Sequence, residues 1–152
     1  MMRQDVPNSE DEEYEARRFH VELFIVHPEW EPAAISSALG LEAHFFHRVG
    51  DPRETPKGTR LKGTYPDTRW RHCIERSVRD QWFAAEVTRF VERLQPHKAF
   101  LAKLRATGGR ACVIIQFLGD GYFGDSIPTA TLAKLVDLEL DLDIECFTVP
   151  QS

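Results

Sequence analysis

The stretch "ACVIIQFLG", residues 111–119, is apolar at nearly every position. A short run of this kind predicts a central strand, covered on both faces or flanked by other strands on both edges. The helix predicted before it, residues 80–95, has an apolar stripe at helical spacing, formed by Phe83, Val87, Phe90 and Leu94. This pairing of strand and amphipathic helix indicates that helices pack against a sheet.

Further helices are predicted before and after this strand in the chain. Pro96 interrupts the first helix, and a second helix is predicted from there to about residue 106, where "TGG" ends it. The sequence leaves open whether Pro96 kinks one helix or separates two. Pro128 opens a later helix through about Leu138, with three apolar residues predicted inward: Leu132, Leu135 and Val136. The following "LDIECF", residues 142–147, predicts a half-buried strand with three inward residues, Leu142, Ile144 and Cys146.

The first half of the chain is richer in alternating patterns. "RFHVELFIVH", residues 18–27, predicts a strand whose inward residues are Phe19, Val21, Leu23 and Ile25. "EPAAISSALGL" predicts a short helix that ends at Gly40. "HFFHRV", residues 44–49, predicts a short strand, and "DTRWRHCIE", residues 67–75, predicts a longer one. On that longer strand Trp70, His72 and Ile74 share one face, and Arg69, Arg71 and Cys73 share the other.

This order of elements predicts an α+β protein rather than a doubly wound parallel sheet, because helices do not follow every strand. We expect a two-layer sandwich, with a ferredoxin-like split βαβ sheet and helices on one face. Residues 1–17 are polar and acidic and predict a flexible tail, and residues 18–149 predict a single domain.

The charge of the chain is unevenly distributed. The net charge is −5, yet residues 44–72 hold seven Lys and Arg against three Asp and Glu, a local charge of +4. A basic segment on an acidic protein favours an acidic protein partner over nucleic acid, because proteins that bind nucleic acid are usually basic overall. No apolar run is long enough to span a bilayer, and the polar start is unlike a secretory signal, so a cytoplasmic location is expected. The sequence indicates no oligomeric state.

In order along the chain, the motifs "ISSALGL", "RVGDPR", Trp70, "FVERLQPHKAFLAKL" and "IPTATLAKLVDLELDLDIECF" resemble a family of small bacterial domains, domain of unknown function family 4279. The resemblance covers about residues 19–147. It implies a cytosolic bacterial domain and supplies no catalytic residues. Some relatives are thought to sit near contact-dependent toxin systems, which suggests an immunity-type protein.

Several kinds of chemistry lack support in the sequence. Cys73, Cys112 and Cys146 are odd in number and widely spaced, so they predict neither a disulfide framework nor a zinc knuckle, and the last two are expected to be buried. His44 and His47 face opposite sides of a strand, so no metal site is predicted there. His72 cannot activate the neighbouring Cys73 for the same reason. No catalytic residue and no cofactor are therefore assigned.

The candidate binding residues centre on "HRVGDPRETPKG", residues 47–58. Gly50, Asp51 and Pro52 are typical of a turn. Arg53 is left over, and its guanidinium either binds a carboxylate or phosphate of a partner or pairs with Asp51 or Glu54. We expect a binding module, without enzymatic activity, whose basic face meets an acidic partner through Arg48, Asp51, Arg53, Arg69 and Arg71. The alternative is an enzyme or small-molecule-binding protein that holds an anionic metabolite in a pocket containing His47, Arg53 and His72.

Overall fold

The computed structural model describes residues 18–77, 82–119 and 124–147. Three predicted segments lie outside the described residues. They are the tail, the end of the domain at 148–149, and residues 80–81 at the start of the helix predicted over 80–95. The elements in chain order are β1 (Arg18–His27), α1 (Pro32–Leu39), β2 (Phe45–His47), β3 (Pro52–Glu54), β4 (Arg60–Thr64), β5 (Thr68–Ser77), α2 (Phe83–Leu94), a 3₁₀ turn (Gln95–His97), α3 (Lys98–Ala106), β6 (Arg110–Leu118), α4 (Thr129–Asp137) and β7 (Asp141–Phe147).

Five of the strands form one mixed sheet in the order β2-β5-β1-β6-β7. β1 runs antiparallel to both β5 and β6, whereas β6 and β7 are parallel to each other and are connected through α4. β3 and β4 follow β2 in the chain and precede β5, and they pair only with each other, as an antiparallel hairpin. The α+β class predicted from the sequence is confirmed, and the "GDPRETPKG" segment contributes a strand as well as turns.

The core lies between one face of this sheet and the helices. Phe19, Val21, Leu23 and Ile25 of β1 are all 0% exposed, as their alternation predicts. Trp70 of β5 lies directly opposite Ile25, is also fully buried, and donates its indole N–H to Ser36 Oγ of α1 at 2.9 Å. The predicted stripe of α2 is buried in the same cluster. The hydrogen bond to α1 satisfies the one polar atom that burial of Trp70 takes out of water.

Pro96 separates two helices rather than kinking one. It lies in the single 3₁₀ turn between α2 and α3, where its missing N–H costs no α-helical hydrogen bond. Leu101 and Leu104 of α3 are buried against the sheet. No helix among the described residues has the length and apolar character needed to cross a membrane.

Two of the predicted inward faces are wrong in part. In α4 Leu135 is buried as predicted, but Val136 is 76% and Leu132 is 41% exposed, and Thr131 is buried in their place. The helix is rotated because the Thr131 hydroxyl hydrogen-bonds Thr88 of α2 at 2.8 Å, which permits a polar residue to face inward.

The second wrong face is that of β7. Ile144 is 64% exposed and Cys146 is exposed, although Leu142 is partly buried as expected. β7 forms the edge of the sheet, and the helix layer reaches only the beginning of this strand. Alternation was therefore sufficient to identify the strand and insufficient to place it at the edge.

His27, at the end of β1, is a buried polar residue that holds the following loop. Its Nδ1 accepts the backbone N–H groups of Glu29 and Trp30, each at 3.0 Å, and its Nε2 bonds Thr107 Oγ1 at 2.8 Å. The ring also stacks on Trp30, with centroids 4.3 Å apart. Gly109 leaves room for this ring, since a Cβ there would lie 2.7 Å from His27 Cδ2.

These bonds require a neutral imidazole with its proton on Nε2, because Nδ1 accepts two hydrogen bonds. Burial lowers the pKa of His27 from its ordinary value of 6.5, and the nearby Glu29 carboxylate opposes part of that effect. The unfolded chain therefore takes up this proton at a higher pH than the folded chain does.

We expect the free energy of unfolding to fall as the pH drops below about 6.5, because only the unfolded chain gains the His27 proton in that range. The slope from one group cannot exceed about 1.4 kcal/mol per pH unit. Urea unfolding of the wild type and of His27→Asn, between about pH 5 and pH 8, measures this contribution by difference. The stability advantage of the wild type should shrink at the acidic end. Two curves that run parallel over the whole range would contradict the assignment.

Candidate functional site

The face of the sheet that points away from the helices is the candidate functional surface, and we call it the open face. The register places on it the side chains of His20, Glu22, Phe24, Val26, Phe45, His47, Arg69, Arg71, Cys73, Arg110, Cys112, Ile114, Gln116, Asp141, Asp143 and Glu145. None of them belongs to the core cluster between sheet and helices. Nevertheless Ile114 is only 1% and Glu22 only 8% exposed, so the centre of the open face is buried.

Two adjoining hollows occupy the side of the open face nearest β2. The sheet hollow, of about 370 Å³, lies over β2, β5 and β1, and its lining residues are Glu22, Phe24, His44, Phe45, His47, Arg69, Arg71 and Cys73. The hairpin hollow, of about 480 Å³, lies against the β3–β4 hairpin, and its lining residues are His47, Arg53, Thr64, Tyr65, Pro66, Asp67 and Arg69. His47 and Arg69 line both, so the two hollows form one continuous depression.

The structure brings together four of the seven binding residues predicted from the sequence. His47, Arg53, Arg69 and Arg71 line the depression. Arg48 and Asp51 line neither hollow. The guanidinium of Arg48 pairs with Glu31 at 2.7 Å and lies 3.9 Å from Asp51, in the turn that precedes β3.

His72 is on the other face of the sheet and cannot share a pocket with His47 and Arg53. Its Nδ1 bonds the backbone carbonyl of Glu42 at 2.7 Å, and its ring lies over Phe90 of α2. Burial lowers the pKa of His72, and the bond to the Glu42 carbonyl acts in the opposite direction. Alternation along β5 places His72 on the face opposite Arg69. His47 pairs with Arg69, so the predicted pocket of His47, Arg53 and His72 is excluded.

Most of the predicted basic face is balanced by acidic groups of the chain itself. Arg69 Nε lies 3.1 Å from Asp67, and Arg71 lies 3.4 Å from Glu22 and 4.5 Å from the centre of the Phe24 ring. Arg53 is exposed and has no ion pair within the described ranges. Exposed ion pairs are worth little, about 0–1 kcal/mol, so an incoming carboxylate can compete for Arg69.

His47 sits at the junction of the two hollows with an unsatisfied nitrogen. Its ring stacks on Tyr65, with centroids 3.8 Å apart. Its Nε2 is buried and has no hydrogen-bond partner among the described residues, and the nearest carboxylate oxygen, Asp67 Oδ1, is 3.6 Å away. That separation is too long for a hydrogen bond, so this nitrogen can still bind a ligand group after a small movement.

Tyr65 fixes the position of the hairpin beside His47. Its hydroxyl accepts the Glu54 backbone N–H at 3.2 Å and lies 3.3 Å from the Glu54 carbonyl oxygen. Gly50, whose φ is +84°, donates its N–H to the Tyr65 carbonyl at 2.9 Å. The turn residues at 50–52 therefore have a structural role, and they place Arg53 over the hairpin hollow.

A third hollow, of about 120 Å³, lies at the opposite side of the open face, and its lining includes Cys112 and Asp143. Burial raises the pKa of the Cys112 thiol to about 12, and the carboxylates of Asp143 and Asp141 add to this effect. A thiol of such high pKa is almost entirely protonated near neutral pH and is a poor nucleophile.

One cluster on the open face was missed by sequence reasoning. His20 and Glu22 of β1 and Cys73 of β5 place one potential ligand atom each within 4.8 Å of one another. His20 and Glu22 are two residues apart on one strand, which is a visible signal. Cys73 joins them only because the β1–β5 register sets it directly opposite Glu22.

Comparison with known proteins gives one match. A family model described as Domain of unknown function (DUF4279) matches residues 17–147. No curated protein and no solved structure matches the chain.

We expect Cys112 to be alkylated by iodoacetamide more slowly than the exposed Cys146 at about pH 8, because its thiol remains protonated. Asp143→Asn should accelerate the reaction at Cys112, since it removes a negative charge that opposes thiolate formation. Asp137→Asn, on α4, serves as the matched control. Mass spectrometry of the alkylated peptides over time measures each rate. Equal rates at Cys112 and Cys146 would show that burial and the carboxylates do not protect this thiol.

Proposed function

The chain belongs to the family described as Domain of unknown function (DUF4279), and we propose that it is a binding module that takes an acidic segment of a partner protein into the depression on its open face. The observation that carries this proposal is the combination of Arg53 and Arg69 with the exposed ring of Phe45 at the rim of two adjoining hollows. Arginine and aromatic residues are the side chains most enriched where protein partners bind tightly.

The rim supplies apolar contact area. Phe45 lines the sheet hollow and is 52% exposed. It lies on β2, a strand of three residues that pairs with β5. An aromatic side chain left in water at the rim of a polar hollow gains from a partner that covers it.

The charges of the depression select the partner. Arg53 offers a planar guanidinium with no carboxylate of its own within the described ranges, and Arg69 can exchange Asp67 for a partner carboxylate at little cost. The buried Nε2 of His47 provides a third polar group between them. A segment with two or more Asp or Glu side chains matches this arrangement.

An immunity-type role, in which the acidic partner is a toxin, is one form of this proposal. We also place the protein in the bacterial cytoplasm. Support for that location comes from the three cysteines, all among the described residues, none of which forms a disulfide.

The strand connections support a ferredoxin-like core, which we propose as the finer description of the fold. β1 and β2 are both antiparallel to β5, so they run parallel with β5 between them, and α1 connects them. β5 and β6 are likewise parallel with β1 between them, connected through α2 and α3. In this description the β3–β4 hairpin is an insertion, and α4 with β7 is an addition at the edge.

A second candidate function is favoured by Arg53, which has no ion pair within the described ranges, and by Nε2 of His47, which has no hydrogen-bond partner among the described residues. Together they would hold a small organic anion in the hairpin hollow, whose volume of about 480 Å³ is in the usual range for ligand sites. The hollow is open and continuous with a larger surface, which is why we favour the protein partner.

We expect Arg53→Ala combined with Arg69→Ala to lose the partner, because the variant removes two of the three guanidinium groups that line the depression and leaves only Arg71, which is paired with Glu22. The immobilised wild type and the double variant are compared in a pull-down from the native host, with mass spectrometry of the eluates. Arg93→Ala combined with Lys103→Ala is the matched control, since it removes the same charge from exposed positions on α2 and α3. Arg71 is left intact because its loss would strand the buried carboxylate of Glu22.

The protein retained by the wild type and by the control, and lost by the double variant, should carry an acidic segment, and raised salt should weaken its binding. A partner that stays bound to a folded Arg53→Ala/Arg69→Ala variant would refute the proposal. So would a partner that the control variant loses equally.

The second candidate predicts that citrate or inorganic phosphate raises the melting temperature of the wild type and not that of Arg53→Ala. Ligand at about 100 times its Kd stabilises a protein by about 2.7 kcal/mol, which thermal unfolding detects easily. Arg93→Ala should respond as the wild type does. Failure of both anions to stabilise the wild type would remove this candidate and leave the protein-partner proposal untouched.

A further inference from the structure

His20, Glu22 and Cys73 form the only cluster of metal-ligating side chains that the described ranges bring together on the open face. The first two lie two residues apart on β1 and so point the same way. The register of β1 with β5 sets Cys73 directly opposite Glu22. The three potential ligand atoms, one nitrogen, one oxygen and one sulfur, lie within 4.8 Å of one another.

We propose that these three side chains bind a zinc ion at the floor of the sheet hollow. Zinc accepts nitrogen, oxygen and sulfur ligands together, with bond lengths of about 2.0 to 2.3 Å. Ligand atoms around a tetrahedral ion of this size are roughly 3.5 Å apart. Because the present separations do not exceed 4.8 Å, each pair of atoms must approach by no more than about 1.3 Å to reach that distance.

The charges of the cluster suit a divalent cation. A zinc ion, the Glu22 carboxylate, the Cys73 thiolate and a neutral His20 together carry no net charge. The thiol gives up its proton on binding, so one proton passes to the solvent for each ion bound. Neutrality also allows the site to lie beside Arg71 without repulsion between a net positive site and its guanidinium.

Arg71 contacts the Glu22 carboxylate and would orient it for the ion without binding the ion itself. Its guanidinium lies 3.4 Å from Oε2 of Glu22, which is only 8% exposed, and 4.5 Å from the centre of the Phe24 ring. Metal-binding carboxylates are usually held by such a second hydrogen bond, which sets their orientation. The contact is long for a buried carboxylate, and a cation on the other side of Glu22 would complete its charge compensation.

The fourth coordination position would face the sheet hollow, because both Glu22 and Cys73 line it. Three protein ligands with one open position are typical of zinc sites that bind a water molecule or a ligand oxygen. The inference does not rest on the proposed function, since the three ligands are distinct from Arg53 and Arg69.

A competing location for a metal ion is the pair His44 and His72, whose ring centres are 4.9 Å apart. Both Nδ1 atoms are already engaged, that of His44 by the Cys73 backbone N–H at 3.0 Å and that of His72 by the Glu42 carbonyl. That pair offers two side chains, whereas the cluster around Cys73 offers three ligand atoms within 4.8 Å of one another, so the cluster is the stronger site.

The experiment titrates zinc alone into the full chain after treatment with a chelator and dialysis. Bound metal per chain is measured by mass spectrometry, and Co²⁺ is used in parallel because a thiolate ligand produces sulfur-to-cobalt charge-transfer absorption. The variants are Cys73→Ser, His20→Asn and, for the competing pair of histidines, His72→Asn. Cys112→Ser is the matched control, because Cys112 is a partly buried cysteine on the same face and outside the cluster. Circular dichroism checks the fold of each variant.

The wild type and Cys112→Ser should bind one zinc ion per chain, release one proton per ion, and show the cobalt charge-transfer absorption. Cys73→Ser should lose that absorption and bind zinc at least about 100-fold more weakly, and His20→Asn should weaken binding to a similar extent. The proposal is overturned if the wild type retains no zinc, if Cys73→Ser binds as tightly as the wild type, or if only His72→Asn abolishes binding.

Discussion

The structure depends on the complete burial of one face of β1. Phe19, Val21, Leu23 and Ile25 are each 0% exposed, and the strand is paired on both edges. Because side chains alternate along a strand, committing these four residues to the helix layer forces His20, Glu22 and Phe24 onto the opposite face. A slip of one residue would exchange the two sets, so the register of the sheet is strongly specified.

This constraint also determines where the arginines lie. β5 pairs with β1 in a register that buries Trp70 under the helices, and Arg69 and Arg71 must then lie on the open face. The open face is consequently more than a bare side of a sheet. Its centre is buried, Arg69 and Arg71 are held by carboxylates or an aromatic ring, and the hairpin adds a second hollow beside it.

Much of the fold follows from patterns within single segments. The strand at 18–27 and the stripe of α2 were recognisable because each segment buries one side, and Pro96 and Gly40 mark real boundaries of helices. The failures have a common cause. Val136 and Ile144 are apolar residues whose segments have the right period, yet their burial depends on which neighbour covers them. α4 turns toward Thr131, and β7 lies beyond the helix layer at the edge.

The candidate site divides in the same way. The sequence by itself determined which residues share the face of one strand, so it separated Arg71 from His72 and marked Arg53 as a residue beyond the needs of its turn. Only the tertiary structure decided which residues meet across strands. His47 joins Arg53 through the hairpin, and Cys73 meets Glu22 through 10 paired positions of β1 and β5. The physical reason is that alternation is a local property of the backbone, whereas register is set by the packing of the whole sheet against its helices.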